Sequence, residues 1–215
     1  MVLSPRLLAI AATQRGVFTS QQAYAAGHRQ KEIQRLRERQ LFSVRRGVYV
    51  WLDDFKTASP LEQHGMRVAA LTLVLIAPGV LSHQTAAAEL HLDVLDADLT
   101  RLHVTRTSGA GSRIEAGVVH HAGELPVHHI LSSGEGKMPT TTLARTAIDV
   151  GLTTDRFECM LAALDSALHM GATREELGEV LIAVEAGQGR GCSVGRCRRQ
   201  MGGRTTPVSP GPGRS

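Results

Sequence analysis

Three groups of residues in this sequence have types and spacings that could do chemistry. The first is the stretch RQKEIQRLRERQLFSVRRGVYV, residues 29–50, where seven of 22 positions are Arg or Lys and two are Glu. A solvated helix face accounts for charge of both signs. Charge of nearly one sign suits a polyanion such as a phosphate backbone. The second group comprises Arg145 and Asp149, four positions apart, and Asp165, which falls among Leu161, Leu164 and Leu168. A buried carboxylate needs a partner, so Arg145 is expected to pair with Asp149, with Asp165, or with both, and to hold two helices in register. A catalytic acidic pair is the functional alternative, but no nucleophile or metal motif accompanies it. The third group is ten histidines and three cysteines. His120-His121 and His128-His129 are adjacent pairs. Neighbours in a strand point to opposite faces, so one such pair does not chelate one ion. Cys192 and Cys197 form C-x4-C with no second ligand pair nearby, whereas a structural zinc site takes four ligands. The residues therefore assign no metal, no cofactor and no catalytic group, and the chain reads as a non-enzyme.

The elements that must position the basic stretch follow from caps and periodicity. SPRLLAIAATQ (4–14) has a Ser cap, Pro in the first turn, and Leu7, Leu8 and Ile10, which predict a helix ended by Gly16. Thr19 and Gln22 form a capping box for a short second helix that Gly27 stops. A third helix is expected over about 30–40, with Ile33 and Leu36 inward and Lys31, Gln34, Arg35 and Glu38 outward. LFSVRRGVYVW then alternates around Gly47 and predicts a β-ribbon with Arg45 and Arg46 at its turn. Three short helices and a ribbon are the order of a winged helix-turn-helix. A helix about 10–12 Å across fits a major groove about 12 Å wide, with Gln30, Lys31, Gln34 and Arg35 toward base edges and Arg45 and Arg46 toward phosphates.

The remainder reads as a second unit. Residues 51–58 are expected to be a linker, and Ser59-Pro60-Leu61-Glu62 opens a helix that Pro78-Gly79 breaks. Ser82 caps an Ala-rich helix; LTRLHVTR (99–106) and IEAGVVHHA (114–122) read as two strands joined by TSGAGS; helices are expected over 140–150, 155–170 and 174–186. The expected fold class is α+β: a winged helix over 1–52, a mixed α/β domain with a small sheet over 59–187, and a disordered basic tail over 188–215. Aromatic content of 3% against 42% hydrophobic residues means that the cores must be aliphatic. The charge balance is +7 over residues 1–50, −9 over 51–187 and +6 over 188–215, so contact with DNA is expected through the ends. The longest apolar run, AALTLVLIAPGVL, falls short of the roughly 20 residues of a membrane span, and the cysteines form no disulfide framework. A cytoplasmic protein without a membrane partner is the expectation.

GVFTSQQAYAAGHRQKEIQRLRERQLFSVRRGVYV, followed by VLSHQTAAAELHL, GVVHH, TTTLARTAIDV and LAALDSAL, resembles the AbiEi-type antitoxin proteins of bacterial type IV toxin–antitoxin and abortive-infection systems. The resemblance runs over roughly residues 5–187 and is strongest at RRGVYV. It implies an amino-terminal winged helix that binds operator DNA and represses its own promoter, and a second domain associated with antitoxicity toward a nucleotidyltransferase toxin. Arg45, Arg46, Gly47 and Tyr49 stand where the wing motif stands; Arg29 stands at the helix cap, where Ser or Thr is usual. A homodimer is expected on inverted-repeat DNA. Many relatives carry a further nuclease-like domain, which needs acidic metal ligands. Residues 186–215 contain no Asp or Glu, so that domain is not expected here, and the tail reads as a truncated or frame-shifted end. The rival readings are a toxin-neutralising protein module with little DNA binding, and the remnant of a nuclease-fused protein.

Overall fold

The protein is a mixed α+β structure, seen in a computed structural model that describes residues 3–75, 79–107, 111–134, 136–154 and 156–188. The expected basic tail beyond Gln188, with Cys192 and Cys197, lies outside the described residues, as does Pro78, and the helix expected to run up to Pro78 ends earlier, at Thr72. Among the described residues, no helix is long and apolar enough to cross a membrane.

The amino-terminal elements form because each start is capped and each buried face is small. In α1 (Pro5–Ala12), Ser4 Oγ accepts the Leu7 amide at 3.3 Å. The strand β1 (Phe18–Thr19) leads into α2 (Ser20–Ala25) through a complete capping box: the Gln22 amide donates to Thr19 Oγ1 at 3.1 Å, and the Thr19 amide donates to Gln22 Oε1 at 2.8 Å. α3 (Gln30–Arg39) starts at Arg29, which offers no side-chain cap, so half of a box does the work: the Arg29 amide donates to Glu32 Oε2 at 2.9 Å. Ile33 and Leu36 bury its inner face against Leu7, Phe18, Leu41 and Tyr49. β2 (Leu41–Arg45) and β3 (Val48–Trp51) are an antiparallel hairpin that completes a three-stranded sheet ordered β1-β3-β2. Its turn needs Gly47, whose φ is +78°. The Ser20 amide donates to the Gly47 carbonyl at 2.9 Å and ties the turn to α2.

The expected linker is instead helical. α4 (Leu52–Thr57) buries Phe55, and α5 (Pro60–Thr72) follows from the Ser59–Glu62 capping box. Val17, Val48 and Val50 pack with Phe55 and Ala70, so the hairpin and α5 share one apolar cluster.

The second sheet has six strands ordered β6-β7-β5-β4-β9-β8: β4 (Val80–Leu81), β5 (Leu102–Arg106), β6 (Arg113–Glu115), β7 (Val118–Ala122), β8 (Ile130–Leu131) and β9 (Thr140–Thr141). Two expectations are corrected here. Residues 114–122 are not one strand paired by a simple turn to 99–106; they split at Ala116 and Gly117, both at positive φ, into the hairpin β6–β7, and β5 runs parallel to β7. Thr140 and Thr141 are strand, and Thr142 caps α7 (Leu143–Thr153). One face of the sheet, through Leu102, Val104 and Val118, packs on Val68 and Leu71 of α5. α6 (His83–Leu90), α7, α8 (Phe157–His169) and α9 (Arg174–Gln188) build a second core from small residues, among them Ala87, Ala147, Ala163 and Ala167.

Candidate functional site

The outer face of α3 follows from its inner one. With Ile33 and Leu36 buried, Gln30, Lys31, Gln34 and Arg35 are all exposed, stacked in two i, i+4 pairs. Exposure leaves their donors free of competing partners: among the described residues none of the four has a side-chain hydrogen bond or ion pair. Arg37 behaves differently. Its guanidinium lies 5.3 Å from the centre of the Tyr49 ring, a cation–π contact that braces α3 on β3. Tyr49 is itself buried and tilts against Phe18 at 6.1 Å. Tyr49 and Gly47 are thus framework for the face.

The two hairpin arginines diverge. Arg46 is exposed at the turn, whereas Arg45 is half-buried. Burial lowers the Arg45 guanidinium from its ordinary value, and the nearby Glu115 carboxylate of β6 pulls it back up. Arg45 therefore faces the second sheet as much as solvent.

In the second unit, Arg145 donates from Nε to Asp149 Oδ1 at 2.9 Å, and both residues are buried. Nη1 makes longer contacts with the Glu124 carbonyl at 3.5 Å and His129 Nδ1 at 3.4 Å. Burial pushes the Asp149 carboxyl up to about 6 against the opposing pull of Arg145. Asp165 corrects the sequence reading: it is exposed on α8 and takes no part in this pair. The buried face of α8 is Cys159, Ala163 and Ala167 rather than the leucine stripe, and Leu161 is 44% exposed. The arginine ties α7 to the segment 124–129, not to α8.

Sequence reasoning missed one cluster altogether. His83, His103 and His121 bring one nitrogen each to within 4.8 Å of one another. Strand alternation explains how: in the parallel register His103 pairs with Val119 and Thr105 with His121, so His103, Thr105 and His121 share the face opposite Leu102 and Val104. The Ser82 amide donates to the His103 carbonyl at 3.1 Å and sets His83 beside them. His120 points the other way, as adjacent strand residues must, and its Nδ1 is buried without a partner among the described residues. The local signal, a histidine in each of two strands and one at a helix start, is present in the sequence; the strand order that makes it matter is not.

No protein-family model matches this chain, and no curated protein matches it.

Proposed function

We propose that this protein is a DNA-binding transcriptional regulator of antitoxin type, with residues 1–52 acting as a winged helix-turn-helix and the chain repressing its own promoter in the cytoplasm. The observation that carries the reading is the exposed quartet Gln30, Lys31, Gln34 and Arg35 on a helix whose opposite face is fixed in a core. Gln reads adenine edges and Arg and Lys read guanine edges in the major groove. The capped α2 before it and the Gly47 hairpin after it supply the element order of a winged helix, with Arg46 free to reach a phosphate. Two copies would read an inverted repeat. The test is binding of the full chain to the DNA upstream of its own gene, against a scrambled duplex of equal length. Tighter binding to its own DNA supports the reading; equal binding or none opposes it.

A second reading, a protein module that neutralises a toxin, is favoured by the exposed apolar side chains Phe157 on α8 and Ile182 on α9, 70% and 69% accessible. Reversing Arg35 and Arg46 to Glu separates the two, since it abolishes DNA binding and spares neutralisation if the roles are divided between the units.

A further inference from the structure

We propose that His83, His103 and His121 form a binding site for a divalent transition-metal ion of the zinc type, independent of the DNA-binding face. The three imidazoles come from three elements that converge on one side of the second sheet: the first residue of α6, β5 and β7. His83 and His103 are 8% and 4% exposed, and His121 is intermediate. A core position costs least when filled by hydrocarbon. Two buried imidazoles and a half-buried third instead gather ring nitrogens at one point, where polar groups must find partners. An ion would take one nitrogen from each ring and replace the hydrogen bond between His103 and His121.

The geometry suits such an ion. Two nitrogens on a tetrahedral ion at about 2.0–2.1 Å stand about 3.3 Å apart; His103 Nδ1 and His121 Nε2, hydrogen-bonded to each other at 2.9 Å, need part by only a few tenths of an ångström (about 0.4 Å) to reach that spacing. The His83 and His121 rings stack with centres 3.6 Å apart and planes 12° from parallel. An ion held by both must lie near both ring planes, so binding opens that stack into a wedge. His83 Nδ1 lies 3.0 Å from Ser82 Oγ, which also accepts from Thr105 Oγ1 at 2.8 Å. That contact fixes the ring and leaves Nε2 as the ligand atom, the second-layer arrangement that orients metal-binding histidines. His83 is also held at φ +51°, a left-handed conformation that a non-glycine residue adopts at a cost and that concentrates at functional positions.

The chemistry narrows the ion. A set of nitrogen donors suits zinc, copper, nickel or cobalt rather than magnesium or calcium, which take oxygen. Three histidines leave a fourth position for water or an incoming group.

The test uses the full chain, stripped of metal by dialysis against a chelator and titrated with Zn²⁺ by calorimetry and with Co²⁺ by visible absorption. One ion per chain and a raised melting temperature are expected. His121→Gln should weaken Zn²⁺ at least about 100-fold, and Ser82→Ala, which removes the support of His83 together with the acceptor of Thr105 Oγ1, about 10- to 100-fold. Ser82→Ala keeps all three ligands, so it decides the matter if His121→Gln does not fold. Cys192→Ser with Cys197→Ser should leave affinity unchanged. The proposal is overturned if the chain takes up no ion, if neither His121→Gln nor Ser82→Ala weakens binding, or if the cysteine variant abolishes it.

Discussion

The outer face of α3 and the histidine cluster place polar side chains in opposite environments. On α3, Lys31 and Arg35 stand in water with their charges available. In the cluster, burial lowers the proton affinity of His83, His103 and His121 below the ordinary histidine value. An exposed cation binds a polyanion at long range and loosens with salt. A buried cluster of imidazoles suits a ligand that fits at contact distance. The two regions therefore differ in what would disrupt them: charge and ionic strength for the first, single atoms for the second.

The largest effect expected from breaking this contrast is on the exposed face. Lys31→Glu with Arg35→Glu should lower affinity for the upstream DNA at least about 100-fold, two contacts each worth about 1–3 kcal/mol being replaced by repulsion. Thermal melting should change little, because both side chains are solvated. An equal loss of affinity and melting temperature would mean that the face is structural.

Next in size is the buried pair. Asp149→Ala leaves the Arg145 guanidinium in the interior without its carboxylate, and should cost about 3–5 kcal/mol in denaturant unfolding. Asp165→Asn, on the exposed side of α8, should stay within about 0.5 kcal/mol. A larger effect from Asp165 than from Asp149 would reverse the assignment of the buried carboxylate.

A smaller effect concerns acid. His64 is fully buried on α5, with Nδ1 2.9 Å from the Leu99 carbonyl and Nε2 unpartnered among the described residues. Burial is the main cause that lowers its pKa; Arg67 and Arg15 act in the same direction, and Leu99 and Glu89 oppose them. His103 also lies within its electrostatic reach. The folded value is below the unfolded one, so the unfolded chain takes the proton first. The stability from His64 is then present in full above about 6.5 and is lost as pH falls through the folded value. Chemical unfolding at pH 7 and pH 5 should show a shallower acid loss for His64→Gln than for the unchanged chain; equal losses would remove His64 as the cause.

How much of this was legible in the sequence follows the range of the interactions. The three amino-terminal helices and the hairpin were, because Ser4, Thr19–Gln22, Ile33–Leu36 and Gly47 act within a few residues of themselves. The candidate reading face was legible for the same reason, since the inward residues of α3 dictate the outward ones. Arg145–Asp149 was legible as an i, i+4 pair. Asp165 was misplaced because leucines suggested the packed face of α8. The packing instead uses Ala163 and Ala167, whose small side chains let α7 come close; a Cβ on Gly151 would meet Met160 Cγ at 2.9 Å. The parallel pairing of β5 with β7 was not legible, because strand order is a long-range choice. With it went the histidine cluster, whose members lie far apart in sequence and meet only once that order is set.

The most direct test of the central claim, that the exposed basic face reads DNA, is the salt dependence of binding to the upstream duplex for the unchanged chain and for single variants of Arg46 and Arg45. The account predicts a steep fall in affinity with salt, a slope reduced by about one for Arg46→Ala, and a smaller change for half-buried Arg45→Ala. A slope unaltered by Arg46→Ala, or equal slopes and affinities on a scrambled duplex, would contradict it.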